Sequence, residues 1–325
     1  MKAVLCHRLG PPSVLRLEEV PRPELGKGEV RVRLHAAAVN FPDVLMVAGD
    51  YQLRPPLPFV PGLEGAGEVL ECAPDVQAFR PGDRVTVKLR PGTFQEEVSV
   101  APQRLNRLPD GLDFVAGAAL PVAYLTAYHA LVQRGRLRPG EVLVVHGAAG
   151  GAGLAAVDLG RQLGARVIAV ASGESKRRFL IEYGVDGAID RAAENFRDEV
   201  LRLTGGQGAD LVFDPVGGEA FEQSLRCLAW GGRLLAVGFA SGRPGELPAN
   251  YALLKGARVI GLRAGEAGRQ DATIGRQLND AVYRLAAAGR LRQHVSHCLP
   301  LADAAQALRL LVDRQAIGKV VLRMD

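Results

Sequence analysis

Apolar and polar residues alternate with two different periods along the chain, and the change of period falls near residue 120. Before it, short runs such as Glu29-Val30-Arg31-Val32-Arg33-Leu34, Gly67-Glu68-Val69-Leu70 and Asp83-Arg84-Val85-Thr86-Val87 are β-branched or alternate every second residue. Turns such as Arg80-Pro81-Gly82-Asp83 separate them. The pattern predicts a mostly antiparallel β domain over residues 1–121. Around 116–130 small residues recur with helical spacing. From there, apolar runs at 142–146, 166–170, 187–189, 210–213, 233–237 and 257–261 predict six buried strands. Helical stretches at 154–163, 175–183 and 221–229 fall between them and run out at Gly164, Gly184 and Gly231. Such alternation predicts an α/β fold, with a Rossmann-type, doubly wound six-stranded parallel sheet over 122–261. Two amphipathic helices (274–288 and 302–313) and a strand at 319–322 do not extend the count. They are expected to return to the N-terminal domain, which then comprises 1–121 and 262–325.

Composition narrows the classes of function. The 325 residues are 48% hydrophobic, which suits one large or two ordinary cores. No apolar run approaches the ~18 residues of a membrane span, and the opening Met1-Lys2-Ala3-Val4-Leu5-Cys6-His7-Arg8 lacks a signal-type apolar stretch. A cytoplasmic protein without membrane contact is expected. The net charge of +5 is carried by dispersed arginines, with no dense basic run, so nucleic acid is not expected as the main partner. A phosphate-rich small ligand suits the charge. The cysteines at 6, 72, 227 and 298 are far apart and form no CxxC pair, which marks them as buried small hydrophobes.

The most informative segment runs from Val142 through His146 into Gly147-Ala148-Ala149-Gly150-Gly151-Ala152-Gly153-Leu154. A buried strand enters a glycine-rich turn that opens a helix. Gly147, Gly150 and Gly153 form a variant of the dinucleotide fingerprint, in which glycines admit a pyrophosphate and let the helix pack on the sheet. The helix N-terminus, with Gly150, Gly151 and Ala152, then presents N–H donors and the positive dipole end to phosphate. At the tip of the second strand, an NAD site usually places a carboxylate for the ribose 2′-hydroxyl. Here Ala171 and Ser172 stand there, Glu174 comes late, and Lys176, Arg177 and Arg178 follow. The missing acid and nearby cations favour a 2′-phosphate, and therefore NADPH.

The order and spacing of several blocks resemble the zeta-crystallin-like quinone oxidoreductase branch of the zinc-free medium-chain dehydrogenase/reductase superfamily. They include Val39-Asn40-Phe41-Pro42-Asp43, Pro61-Gly62-Leu63-Glu64-Gly65, Arg80-Pro81-Gly82-Asp83 and Leu125-Thr126-Ala127-Tyr128. Asp214-Pro215-Val216-Gly217-Gly218, Val237-Gly238-Phe239-Ala240-Ser241 and Gly318-Lys319-Val320-Val321 continue the series. The resemblance implies a GroES-like catalytic domain beside the Rossmann domain. It also removes zinc, because Asn40 and Leu63 stand where alcohol dehydrogenases have a cysteine and a histidine.

What the resemblance implies for the site follows residue by residue. Thr126 is similar to the residue that holds the nicotinamide carboxamide. Asn40, Asp43 and Tyr51 lie on a loop that faces the nicotinamide in relatives, with Asn40 as polar orienter and Tyr51 as donor to the acceptor oxygen. Asn40 and Asp43 also fit a mutually satisfied turn pair. Leu45 stands where many members have a tyrosine. Arg191 falls near the adenosine phosphate, and Val237, Gly238, Phe239, Ala240 and Ser241 end the fifth strand at the crevice edge. His146 belongs to the buried first strand and reads as a core residue. Relatives often form dimers through the last edge strand, here near 257–261. The activity implied is direct hydride transfer from NADPH to a quinone. An enone or enoyl thioester acceptor, or a non-catalytic NADPH-binding protein, stays open.

Overall fold

The computed structural model describes residues 1–324. In chain order the first elements are β1 (Lys2–Leu5), β2 (Arg16–Glu19), β3 (Val30–Val39), α1 (Phe41–Ala48), β4 (Glu64–Cys72), β5 (Arg84–Lys88), β6 (Glu97–Val100), β7 (Leu105–Arg107) and α2 (Phe114–Ala118). Then come α3 (Pro121–Tyr128), β8 (Val142–His146), α4 (Gly151–Gln162), β9 (Arg166–Ala171), α5 (Glu174–Tyr183), β10 (Gly187–Asp190) and α6 (Phe196–Leu203). β11 (Ala209–Asp214), α7 (Glu219–Cys227), β12 (Leu228–Ala236), α8 (Ala249–Lys255), β13 (Arg258–Gly261), α9 (Ala264–Gln270) and α10 (Ala272–Ala287) follow. β14 (Val295–Pro300), α11 (Ala304–Val312) and β15 (Lys319–Arg323) close the chain.

These elements form two compact units. The first holds Met1–Val122, Ala286–Gly289 and the chain from Gln293 onward. Its main sheet has the order β14-β15-β3-β4-β5-β7, with β6 also on β3, and every pair is antiparallel except β14 with β15. The apolar residues Val30, Val32 and Leu34 of β3 are buried in one core with Val69, Val85 and Val87. On the same strand Ala36 and Ala38 lie in a second core with Ala66 of β4 and Val321 of β15.

The second unit holds Ala123–Leu285 and Arg290–Arg292. Its sheet has the order β10-β9-β8-β11-β12-β13, all parallel. A reversal of strand order between β8 and β11 creates the crevice that doubly wound sheets use for ligands. Val144, Ile168, Ile189, Val212 and Leu234 supply one buried core of this sheet.

The expected division differs from these units in two segments. Residues 262–285 and 290–292 belong to the second unit rather than the first. After β13 the chain continues with α9 and α10, so the strand–helix alternation runs one step past the last strand. α9 has Gly265 and Gly268 and no buried residue, which hid it from a periodicity argument. The helix expected at 221–229 gives way to strand from Leu228, and β14 was not foreseen.

Two glycines hold the turn after β8. Gly147 has φ of 56°, a left-handed conformation that glycine adopts without strain. A Cβ on Gly153 would lie 2.2 Å from the Gly147 carbonyl oxygen. Gly153→Ala should therefore cost about 1–3 kcal/mol of stability, as overpacking against a rigid neighbour does. A thermal melt unchanged from wild type would show that the turn yields instead.

Candidate active site

In the second unit, β8 delivers the chain to the carboxyl edge of the sheet and α4 leaves from it. Gly150 is the N-cap of α4 and carries no side chain, so no side-chain oxygen caps the helix. The first-turn N–H groups of Gly151 and Ala152 have no intrahelical acceptor by helix geometry. The turn itself is closed by Gly150 N–H to Gly147 O at 2.8 Å and Ala148 N–H to Val170 O at 3.1 Å. The result is a set of donors at the positive end of a helix, suited to a pyrophosphate.

The tip of β9 is arranged for a cationic neighbour. Ser172 is exposed, Gly173 turns the chain with φ of 95°, and Lys176 lies half-buried in the first turn of α5. The two carboxylates of this region are engaged. Glu174 grips Arg177 through two hydrogen bonds of 2.7 and 3.0 Å, which holds its acid below the usual range. Asp190 Oδ1 accepts from Gly173 N–H and Ala192 N–H, both at 2.9 Å, and is likewise lowered. Arg191 follows, its backbone N–H on the Ala171 carbonyl at 2.8 Å. Its guanidinium stands 3.6 Å from Glu219 on α7.

The loop from Val237 to Ser241 leaves β12 and is zipped onto the turn after β11. Val237 N–H donates to Asp214 O at 2.9 Å, Ala240 N–H to Pro215 O at 3.0 Å and Ser241 N–H to Val216 O at 2.9 Å. Gly238 continues that backbone, and Phe239 and Ala240 are exposed. Asp214 was missed by the sequence reading. Its Oδ1 accepts from Val216 and Gly217 N–H, while the buried Oδ2 has no hydrogen-bond partner and burial raises its pKa. Thr126 lies half-buried on α3. His146 is buried against Phe196 and shares a 2.8 Å hydrogen bond with Ser224. Burial pushes it down to about 3, so it is a neutral core residue.

In the first unit a buried polar cluster surrounds Asn40. Asn40 is the N-cap of α1, and its backbone N–H donates to Asp43 Oδ2 at 2.8 Å. Its side-chain amide does not cap the helix. Nδ2 donates to Glu64 Oε1 at 2.9 Å and to the Ala38 carbonyl at 3.3 Å. Lys319 Nζ donates to Asn40 Oδ1 at 2.7 Å, Glu64 Oε1 at 2.8 Å and the Val39 carbonyl at 3.3 Å. Both amide hydrogens of Asn40 are thus engaged inside the protein. Glu64 and Lys319 had no role assigned from sequence. A lysine in the apolar run Lys319-Val320-Val321-Leu322 is itself the signal, because a buried ammonium needs partners. Tyr51, after α1, is half-buried against the apolar cluster that contains Met46, Val47 and Phe59.

One ammonium faces two buried carboxylates. Glu64 takes the direct contact with Lys319, and Asp43 accepts only from the N–H groups of Asn40 and Gly62. Burial therefore raises Asp43 to about 7, against the lowering effect of those N–H groups and of Lys319. Among the described residues, no group of three or more His, Cys, Asp or Glu side chains is placed to hold a metal ion. No helix among them is long and apolar enough to cross a membrane.

Comparison with known proteins bears on both units. The alcohol dehydrogenase GroES-like domain model matches residues 26–110, and the zinc-binding dehydrogenase model matches residues 151–279. A quinone oxidoreductase-like protein 2 homolog of Nematostella vectensis is 38% identical over 324 residues, covering 99% of this chain and 88% of its own. The crystal structure of Escherichia coli quinone oxidoreductase complexed with NADPH superposes with a TM-score of 0.92 at 26% identity, over 99% of this chain and 100% of that one. The apo JamJ enoyl reductase structure superposes with a TM-score of 0.89 at 26% identity, over 100% and 99%.

The Asp43 carboxyl makes stability depend on pH. An unfolded aspartate ionises near 3.9, whereas the folded one keeps its proton to about 7. Between those values the folded state holds more protons, so this group's contribution falls as pH rises, by up to about 1.4 kcal/mol per unit. Denaturant melts from pH 4 to 7 should show that slope, and Asp43→Asn, which cannot titrate, should flatten it. Parallel curves for the two proteins would refute the assignment.

Proposed function

Because this oxidoreductase belongs to the quinone oxidoreductase branch of the zinc-free medium-chain dehydrogenase/reductase family, we propose that it reduces quinones with NADPH by direct hydride transfer. The observation that carries the cofactor choice is the tip of β9. Ser172 replaces the ribose-binding acid, Lys176 stands in the next turn, and Glu174 and Asp190 are already engaged. The donor set fits the ligand. The N–H groups of Gly151 and Ala152 suit the pyrophosphate, Gly150 closes the turn beside them and adds no side chain, and Ser172, Lys176 and Arg191 suit a 2′-phosphate. Thr126 holds the carboxamide, and the Val237–Ser241 backbone lines the same sheet edge. When bound, NADPH supplies a hydride from C4 of its dihydronicotinamide ring.

On the acceptor side, Asn40 and Asp43 hold the loop that carries Tyr51. Tyr51 Oη gives a proton, or a hydrogen bond, to the acceptor oxygen as negative charge develops there. Asn40 and Leu63 occupy positions where a zinc site would need cysteine and histidine, which supports chemistry without a metal. A second reading, reduction of enoyl thioesters, is supported by the likeness to an enoyl reductase. The pocket rather than the fold decides between them.

We propose that the partner is a second copy of the chain, joined at β13. This strand ends the sheet, and Trp230, Leu253 and Leu254 are 79%, 80% and 65% exposed. Sedimentation should give a dimer mass, and a monomer at micromolar concentration would refute the pairing.

NADPH oxidation should be measured with a quinone, an enone and an enoyl-CoA. Highest kcat/KM with the quinone is expected, preference for the enoyl-CoA would select the second reading, and NADPH binding without turnover would leave a binding protein. Lys176→Ala should raise KM for NADPH roughly ten-fold, since one charge-assisted contact contributes ~1.5–3 kcal/mol and solvent screening holds it to the lower end. KM for NADH should barely move. Equal losses with both cofactors would assign Lys176 to the fold or the pyrophosphate.

A further inference from the structure

Inside the six-stranded unit, groups with no part in the phosphate turn form one hydrogen-bonded chain, buried at Tyr124, Asp158 and Tyr183. Tyr183 Oη donates to the carbonyl of Arg292 at 2.9 Å. The N–H of Arg292 donates to Asp158 Oδ2 at 2.9 Å, and Tyr124 Oη donates to the same oxygen at 2.9 Å. Asp158 is only 2% exposed, in a stretch of α4 that is buried from Gly153 to Gly160. A carboxylate there is costly unless its partners are fixed. Burial and the nearby carboxylate keep both phenols protonated, so both remain donors.

The chain touches each helix that carries a proposed cofactor residue. Asp158 follows Gly151 by seven residues on α4, two turns along the same stripe. Tyr124 precedes Thr126 by two residues on α3, on the opposite side of the helix. Tyr183 follows Lys176 by seven residues on α5, again two turns along one stripe. The end of α5 is clamped further. Arg161 of α4 donates to the Tyr183 carbonyl at 2.7 Å, and the Arg292 guanidinium lies 4.5 Å from the centre of the Tyr183 ring.

We propose that Tyr124, Asp158 and Tyr183 are positioning residues that set the spacing of α3, α4 and α5. The Tyr124–Asp158 arm places Thr126 for the nicotinamide end, and the Tyr183–Arg292 arm places Lys176 for the 2′-phosphate end. This rests on the reading of those helices as the NADPH holders. It goes beyond that reading in assigning the two ends of the cofactor to two separate hydroxyl groups.

Tyr124→Phe and Tyr183→Phe each delete one hydroxyl and keep the ring. The measurements are Kd for NADPH and NADH by fluorescence titration, kcat with a quinone, melting temperature, and amide exchange of α3 and α5 in the free protein. Tyr124→Phe should lower kcat roughly ten-fold or more, because small misplacements near the reacting carbon are costly, and should speed exchange in α3. Its preference for NADPH over NADH should change less than its kcat. Tyr183→Phe should do the reverse, lowering the NADPH preference several-fold, with faster exchange in α5 and a smaller loss of kcat. Asp158→Asn keeps an acceptor oxygen for both donors and should lose far less than Tyr124→Phe. Equal losses in every parameter, or lower melting temperatures without the split, would overturn the proposal. Wild-type protein that fails to bind NADPH would instead refute the functional reading.

Discussion

A single buried ammonium governs the first unit. Lys319 stands at the start of the last strand, yet its three acceptors are the end of β3, the N-cap of α1 and the start of β4. An ammonium deprived of those acceptors would cost several kcal/mol. β15 can therefore occupy its place beside β3 only if α1 begins at Asn40 and Glu64 points inward. The loop that carries Tyr51 inherits its starting point from that arrangement. Hydrophobic burial makes the sheet stable, but it does not choose where α1 begins. The polar cluster does.

The second unit solves a different electrostatic problem. It gathers N–H donors and cations at the carboxyl edge of a parallel sheet, and gives the acids among them hydrogen-bond partners of their own. Glu174 is occupied by Arg177, Asp190 caps a turn, and Asp214 is folded into the β11 turn by two N–H groups. Each acid is held by groups of its own neighbourhood. Backbone geometry contributes as much as side chains, since the phosphate turn relies on N–H groups that no side chain caps.

Much of the fold was legible because its signals are local. Runs of apolar residues gave five of the six parallel strands to within a residue, while β12 begins at Leu228, five residues before the expected start, and Gly147, Gly150 and Gly153 marked the turn. The misses are of two kinds. β14 reads Val295-Ser296-His297-Cys298-Leu299-Pro300, with no clean alternation, and its pairing with β15 identifies it as a strand. The Lys319–Glu64 contact joins residues 255 positions apart, so no window along the chain could find it. Asn40 reads from the sequence as a polar group at the start of the Asn40–Asp43 turn. The direction of its amide, into the protein toward Glu64 and Lys319, is a fact of three-dimensional packing alone.

The chain from Tyr183 to Tyr124 passes through Arg292 by way of main-chain atoms only: its carbonyl accepts and its N–H donates. Nineteen of the twenty amino acids carry both groups, and proline alone lacks the donor. The hydrogen bonds therefore leave the identity of residue 292 open, and only the contact of its guanidinium with the Tyr183 ring favours arginine there, while its two partners are fixed. Tyrosine hydroxyls and the Asp158 carboxylate have no backbone substitute. A comparison of divergent relatives would accordingly see variation in the middle of the linkage and constancy at its ends, although all parts bear on the same geometry.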